Sequence, residues 1–259
     1  MQTRLHRVRQ RRDLGGGSFA LEIDGPIPPT GAGQFFMLRT PERWPVLLPR
    51  PFSLYDRGAD GEWGSFLIKG VGPGTNALLD VDPGEEIVAT GPLGRTFPTD
   101  VADPVCIAGG VGLAPFLLLA RAAAQRGERL RLLFGGRDRG ALAGLEDFEP
   151  IARVWTSTDD GSHGHHGLVT ALLTELLARG EVAAGNTVFC CGPDPMMHAV
   201  AALCAERDLR CFLSLETYMA CGYGVCNGCT VEVTGERFGG WPYSKTCLEG
   251  PVYEACELR

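Results

Sequence analysis

Four cysteines near the C-terminus constrain this chain more than any other feature. Cys221, Cys226 and Cys229 stand in the run ETYMACGYGVCNGCTVEV, and seventeen residues separate Cys229 from Cys247. The pattern C-x4-C-x2-C…C is the plant-type spacing for a [2Fe–2S] cluster. Two irons bridged by two sulfides need four thiolates, and three of them must come from one tight loop. Gly222, Gly224 and Gly228 lie between the ligands, where the backbone must curl and turn its N–H groups toward sulfur. A zinc site would more naturally show two Cys-x2-Cys pairs, and here the first gap is four. The other six cysteines are Cys106, Cys190, Cys191, Cys204, Cys211 and Cys256. Most lie in apolar runs, as buried small hydrophobes do.

A chain of 259 residues has room for two domains and a small appendage. A net charge of −7 leaves no electrostatic footprint for nucleic acid. The N-terminus, MQTRLHRVRQRRDLGGG, is basic but has no apolar core of the kind a signal peptide needs. The apolar stretch from Cys106 is cut by Gly109, Gly110, Gly112, Pro115 and Arg121, so it cannot span a bilayer. Ten cysteines without a secretory signal point to a reducing cytoplasm.

Three segments follow one another. Residues 1–100 read as short strands (Phe19–Ile23, Gln34–Leu38, Ser65–Lys69, Glu86–Ala89) divided by Gly and Pro clusters, with one short helix at Asn76–Val81. That pattern predicts a small antiparallel barrel. Residues 101–214 alternate strands (Pro104–Ala108, Leu130–Phe134, Ala152–Thr156, Thr187–Cys190, Arg210–Leu215) with helices (Ala114–Arg126, a weaker Ala141–Phe148, Val169–Arg179, Pro195–Arg207). Gly127 and Gly180 suit helix C-termini, and Asp194-Pro195 suits an N-cap followed by a helix-opening proline. This alternation predicts a doubly wound parallel sheet with helices on both faces. Residues 215–259 form the cysteine segment. The fold class is therefore β + α/β: an N-terminal antiparallel barrel, a doubly wound nucleotide domain and a small C-terminal iron–sulfur segment.

Four motifs carry chemistry. In Arg50-Pro51-Phe52-Ser53, arginine can fork onto a pyrophosphate and serine can hydrogen-bond a flat ring. Leu67-Ile68-Lys69 leads into Gly72-Pro73-Gly74-Thr75, a turn that can aim amides at an anion. Either motif alone is also compatible with an ordinary hairpin turn. Gly109-Gly110-Val111-Gly112-Leu113-Ala114-Pro115 falls between the first strand and first helix of the second segment, where a dinucleotide phosphate is bound. Cys191-Gly192-Pro193-Asp194-Pro195-Met196 follows the fourth strand, whose end is expected beside that of the first at the switch-point crevice. Arg137 and Arg139 after the second strand suit either a 2′-phosphate or plain surface charge, which leaves NAD against NADP open. His163, His165 and His166 lie in a glycine-rich loop without the spacing of a metal site.

In this order the motifs resemble the flavin barrel of the ferredoxin–NADP reductase superfamily, whose R-x-[YF]-[ST] motif has proline as its second residue here. Nearly the whole chain resembles the electron-transfer subunits of type B dihydroorotate dehydrogenase. The resemblance includes the stretch from Ser214-Leu215-Glu216 to Cys229 and the closing Lys245-Thr246-Cys247-Leu248-Glu249-Gly250-Pro251-Val252-Tyr253. It implies FAD held by Arg50, Pro51, Phe52, Ser53, Leu67, Ile68, Lys69, Gly72, Gly74 and Thr75. It implies NAD held by Gly109, Gly110, Gly112, Pro115, Cys191, Gly192, Pro193 and Met196, and [2Fe–2S] held by Cys221, Cys226, Cys229 and Cys247. It also implies a partner, an FMN-bearing catalytic subunit that oxidises dihydroorotate in pyrimidine synthesis, with electrons passing from FMN through the cluster and FAD to NAD⁺. Two alternatives compete: the electron-transfer subunit of another assembly, such as a cytoplasmic hydrogenase or a ferredoxin:NADP oxidoreductase, and a zinc-stabilised interaction module without redox chemistry. Gly239-Gly240-Trp241-Pro242-Tyr243 reads as a loop insertion before the fourth cysteine. Tyr218, Tyr223, Trp241 and Tyr243 suit either a docking face or packing of the cysteine segment.

Overall fold

The computed structural model describes residues 1–183 and 185–259. It opens with β1 (Gln2–Gly15), β2 (Ser18–Asp24), β3 (Phe35–Arg39), β4 (Arg50–Arg57), β5 (Trp63–Lys69), helix α1 (Pro73–Leu79) and β6 (Glu86–Leu93). The six strands close into an antiparallel barrel in the order β1-β2-β5-β4-β3-β6. Strand alternation fills it: Phe19, Leu21 and Ile23 of β2 meet Phe36 and Leu38 of β3 and Phe66 and Ile68 of β5 inside. The basic N-terminus, which carries no obvious strand signal, is the long strand β1. It pairs with both β2 and β6 but is mostly solvent-exposed, with only His6 and Val8 buried, so its sequence shows almost no apolar alternation.

The second unit runs β7 (Val105–Gly109), α2 (Leu117–Gln125), β8 (Leu130–Gly136), β9 (Ala152–Thr158), β10 (His165–His166), α3 (Val169–Ala178), β11 (Thr187–Cys191), α4 (Asp194–Glu206) and β12 (Arg210–Ser214). After it come β13 (Thr230–Glu232), β14 (Tyr243–Lys245) and β15 (Val252–Glu254). The sheet order is β10-β9-β8-β7-β11-β12-β15. All its pairings are parallel except that of β15, which joins the β12 edge antiparallel. Two separate cores cover its faces, one built with Leu117 and Ala120 of α2 and one with Leu172 and Leu176 of α3 and Val200 of α4. The C-terminal segment is thus not wholly apart, because it supplies an edge strand to the parallel sheet and forms its own β13–β14 hairpin.

Local chemistry moved several boundaries. The first helix of the second unit begins as a 3₁₀ turn over Gly110–Phe116, which contains Pro115, and becomes α-helical only at Leu117. The weak helix expected at Ala141–Phe148 is two 3₁₀ turns, Arg139–Ala141 and Leu145–Asp147. The short barrel helix starts at Pro73 rather than Asn76, because proline preset for the first helical position takes it. The cap of α4 is Pro193, and Asp194 is already helical. Gly127 and Gly180 follow the ends of α2 and α3 as expected. Among the described residues no helix is long and apolar enough to cross a membrane.

Barrel and sheet are joined by aromatic stacking and buried polar contacts. Phe97, just after the barrel, stacks on Phe189 with centroids 4.6 Å apart and meets Phe116 at 5.5 Å. The Tyr55 hydroxyl donates to Asp147 at 2.6 Å, and Arg121 grips Asp56 through Nε at 2.7 Å and Nη2 at 2.5 Å. Burial, together with the bond to Asp147, pushes the Tyr55 phenol well above its ordinary range, so it stays a donor. Phe97→Ala should lower stability by about 3–5 kcal/mol, the usual cost of emptying a buried aromatic site. Tyr55→Phe should cost about 1.5–3 kcal/mol for one bond to a charged group. Urea unfolding of the cofactor-loaded proteins should rank them in that order, and a wild-type midpoint for Phe97→Ala would contradict the role given to the stack.

Candidate active site: a cleft and its cysteine loop

A cleft of about 400 Å³ opens where barrel, sheet and C-terminal segment meet. Strand parity decides which barrel residues reach it. In β4, Leu54 points into the barrel core, and the alternate residues Pro51 and Ser53 face the cleft. Ser53 pairs with Phe35 and Pro51 with Met37 across the β3–β4 ladder. Phe52 lines the cleft while also packing on the barrel core. Arg50, at the start of the strand, is not on the cleft wall, and its Nη1 donates to the Leu48 carbonyl at 3.0 Å. In β5, Leu67 and Lys69 line the cleft, whereas the Ile68 side chain is buried inside the barrel. Any role for Ile68 at the cleft is therefore a backbone role.

Thr75 also reaches the cleft, but its hydroxyl shapes the turn. It accepts from the amides of Val71 at 2.9 Å and Gly72 at 3.0 Å. Those two amides are thus already used, and Pro73 has none, which leaves Gly74 and Thr75 as the first-turn donors. Gly74 is held under the Trp44 ring, 3.3 Å from where a Cβ would stand.

On the sheet side the loops after β7 and β11 lie against each other, since Ala108 pairs with Cys191. A side chain at Gly112 would collide with the backbone of Cys191 and Gly192. One at Gly109 would come within 2.6 Å of the Met196 sulfur and 3.0 Å of Pro193. Close approach of backbone, rather than an unusual backbone angle, therefore demands glycine at Gly112, whereas a side chain at Gly109 would have to displace the end of Met196. Gly110 lies just beyond, at the start of the 3₁₀ turn. Pro115 and Cys191 line the cleft. Burial pushes the Cys191 thiol far above its usual range, reinforced by Glu216 and opposed by a hydrogen bond with Ser214. Cys191 is therefore a neutral, small group at the cleft wall.

Sequence reading did not single out Phe35, Val111, Ala114, Thr217, Met219 or Pro251 for the cleft. Phe35 belongs to a motif-free apolar strand and Met219 to the run that carries the cysteines, and only the tertiary arrangement brings the two together here. Glu216 stands at the cleft mouth, partly open to solvent yet crowded by protein. That crowding, with Asp194 nearby, raises its carboxyl above the ordinary range.

The cysteine loop adjoins this cleft. The thiols form two pairs: Cys221 with Cys226, Sγ to Sγ 3.3 Å, and Cys229 with Cys247, also 3.3 Å. Among the described residues no three Cys, His, Asp or Glu side chains converge on a single ion position. Two thiol pairs are what a two-iron cluster takes, one pair per iron, whereas a zinc site draws four ligands to one point. Gly222 (φ +79°) and Gly224 (φ +87°) allow the loop its left-handed turns. Lys245 Nζ donates to the Gly224 carbonyl at 2.8 Å and ties the loop to β14.

The two pairs differ. Burial would raise the Cys221 thiol, but the amides of Cys226, Tyr223 and Val225 outweigh it and bring it down to about 6. Cys229 and Cys247 are buried against Phe35, Met37, Leu93 and Met219. Burial and the neighbouring Cys229 push Cys247 up to about 12. A bound metal centre would offset that cost, because metals take thiolates. The residues present therefore fit a two-iron cluster. Tyr218 and Trp241 are largely exposed, at 95% and 67%, whereas Tyr223 and Tyr243 are about half covered by the cysteine segment's own surroundings. The histidine loop holds no thiol; His165 pairs with Glu175 at 2.9 Å.

Comparison with known proteins agrees with this arrangement. The model of the iron–sulfur cluster binding domain of dihydroorotate dehydrogenase B matches residues 216–259, and the oxidoreductase NAD-binding domain matches residues 106–202. The chain is 31% identical to the electron transfer subunit of dihydroorotate dehydrogenase B (NAD(+)) from Clostridium perfringens, over 97% of this chain and 96% of that one. It is 34% identical to the Clostridium acetobutylicum subunit, over 98% and 96%, and 35% identical to that of Caldanaerobacter subterraneus, over 97% and 96%. In fold it resembles a solved NADH-dependent reduced ferredoxin-NADP oxidoreductase, with TM-score 0.84 at 24% identity over 100% of this chain and 91% of that chain. It also resembles the ferredoxin reductase of carbazole 1,9a-dioxygenase, with TM-score 0.69 at 21% identity over 80% and 66%. With cleft, paired thiols and near full-length likeness together, the chain belongs to the family of dihydroorotate dehydrogenase B electron transfer subunits, with an oxidoreductase NAD-binding domain and an iron–sulfur cluster binding domain.

Proposed function

We propose that this chain relays electrons from an FMN-bearing dihydroorotate dehydrogenase subunit to NAD⁺, in the cytoplasm and in the service of pyrimidine synthesis. The observation that carries the reading is a shared wall. Phe35 and Met219 line the cleft and also pack on the Cys229–Cys247 pair, so cleft and cysteine loop are separated by single side chains. When bound, the cluster supplies one-electron transfer and FAD converts single electrons into a hydride.

The chain's own residues position these groups. Cys221 and Cys226 would hold one iron, and Cys229 and Cys247 the other. Pro51, Phe52, Ser53, Leu67 and Lys69 would hold the flat ring of FAD, and Arg50 with the amides of Gly74 and Thr75 would serve its phosphates, beside Gly72. Ile68 contributes backbone only. Gly109, Gly110, Gly112, Gly192 and Pro193 keep the crevice open for NAD, and Met196 packs beneath it. Pro115 and the neutral Cys191 would bind the nicotinamide without adding charge. Tyr218, Val225, Trp241 and Leu248, all exposed around the cysteine loop, suit a partner that covers the cluster. The names of the curated relatives favour dihydroorotate over hydrogenase or ferredoxin chemistry.

Three measurements test this. Purified anaerobically, the protein should carry about two irons and two labile sulfides, and Cys226→Ser should lose them while keeping FAD; stoichiometric zinc without sulfide would overturn the ligand assignment. Arg50→Ala should weaken FAD binding about ten- to hundredfold, the worth of a charge-assisted contact; unchanged retention would remove Arg50 from the site. The isolated chain should oxidise NADH with an artificial acceptor yet leave dihydroorotate untouched. Adding the FMN subunit should restore NAD⁺-dependent dihydroorotate oxidation, and Cys226→Ser should abolish it. Coupled turnover by that variant, or failure of the two chains to associate, would refute the relay.

A further inference from the structure

Of the 24 lysines and arginines in the chain, only Lys69 and Lys245 are lysines. A lysine ammonium is a compact point charge on a flexible stem, unlike the planar fork of arginine. Both lysines stand at the functional site: Lys69 lines the cleft, and Lys245 reaches the cysteine loop. Lys69 belongs to the flavin motif, whereas Lys245 has no part in holding a cofactor.

The β13–β14 hairpin sets Lys245 opposite Thr230, the residue after Cys229, and Lys245 lies two residues before Cys247. Its neighbours Ser244 and Thr246 are buried, while Lys245 is half-buried, and its Nζ meets the Gly224 carbonyl at 2.8 Å. Among the described residues that carbonyl is the only partner of the ammonium, and no carboxylate pairs with it. Glu249, Glu254 and Glu257 of the same segment are held instead by Arg95, Arg210 and Arg237, at 2.9, 2.9 and 2.8 Å. The charge of Lys245 is therefore directed at the loop between Cys221 and Cys226.

The Gly224 carbonyl belongs to the peptide that joins Gly224 to Val225. The N–H of that same peptide, on Val225, donates to Cys221. Across a trans peptide C=O and N–H point in opposite directions. The ammonium thus stands at the negative end of one peptide dipole and the Cys221 sulfur at its positive end. A charge on the oxygen polarises the N–H, as in any chain of hydrogen bonds. The preceding peptide supplies the Gly224 N–H, which donates to Cys247, so this one turn serves a sulfur of each thiol pair.

We infer that Lys245, acting through the Gly224–Val225 peptide, strengthens the amide donor to Cys221 and thereby raises the reduction potential of the cluster. This rests on the assignment of the four cysteines to a cluster. Reduction adds negative charge, which a stronger donor to sulfur and a fixed cation both stabilise. The half-buried setting limits the screening that weakens charges at an open surface. Lys245 is a positioning residue that tunes the cluster without holding iron.

The test uses the whole anaerobically purified protein, with iron and labile-sulfide assays and a redox titration followed by visible absorbance and electron paramagnetic resonance. Lys245→Met, which keeps the stem and loses the charge and the hydrogen bond, should load wild-type iron and titrate at a more negative cluster midpoint. A three- to tenfold weaker reduction equilibrium is about 30–60 mV for one electron. Lys245→Arg, which restores a cation, should titrate above Lys245→Met. The FAD midpoint should not move in either variant. A wild-type cluster midpoint for a fully loaded Lys245→Met overturns the inference, as does a midpoint for Lys245→Arg no higher than that of Lys245→Met. An equal shift of the FAD midpoint would mark a general disturbance of the fold and overturn it as well. If Lys245→Met does not load, Lys245→Gln takes its place under the same criteria. Wild-type protein without iron and sulfide would refute the cluster assignment instead, a result distinct from a loaded cluster with an unmoved potential.

Discussion

The packing of the buried thiol pair on β3 is the contact on which the rest of the site depends. β3 is used on both faces. Phe36 and Leu38 fill the barrel, while Phe35 and Met37 turn outward onto Cys229, Cys247 and Met219. A strand alternates strictly, so slipping its register by one residue would empty the barrel core and withdraw the apolar seat of the thiol pair together. The same register sets Ser53 opposite Phe35 and Pro51 opposite Met37, which turns the serine and proline of the β4 motif to the cleft. One strand thus fixes the barrel core, the cleft wall and the seat of the cysteine segment. The C-terminal segment is held a second time by β15 on the parallel sheet, so the cysteine loop is anchored to both units.

The electrostatics of the site follow from this burial. Cys191, Cys229 and Cys247 are all enclosed, but their surroundings give them different fates. Cys191 has only Ser214 to favour its charged form and Glu216 to oppose it, so it remains a neutral thiol. Cys229 and Cys247 lie side by side, and two adjacent buried thiolates are tenable only with a cation between them. Cys221, near the surface and bonded by loop amides, is already inclined to ionise. The loop therefore presents a ready thiolate outside and a pair inside that needs metal. That arrangement suits a centre built into the protein with one edge left toward the surface.

The three large segments were legible in residue order, and the motifs supplied expectations for the site. Cysteine spacing pointed to two irons, strand–helix alternation to the parallel sheet, and glycine motifs to the loops after β7 and β11. Each is a local signal, set by a few adjacent residues and the geometry they permit. Misplaced details had local competitors: Pro73 drew α1 forward, Pro115 delayed α2, and β1 hid its alternation because nearly all of it faces solvent. The motif reading grouped Ile68 with Leu67 and Lys69, and only the direction of the barrel wall shows that its side chain points the other way.

What the sequence by itself determined was the identity and order of the chemical groups: four spaced thiols, a flavin-type arginine–serine motif, and two glycine loops placed for a dinucleotide. What only the tertiary structure decided was which of them meet. Phe35 and Met219 are 184 residues apart in the chain, yet both stand between the cleft and the buried thiols. The division of the cysteines into a half-buried pair and a buried pair likewise appears only after folding. The physical reason is that spacing along a chain restricts what a loop can bind, whereas burial, dielectric and electron-transfer distance are set by residues remote in sequence that packing brings together.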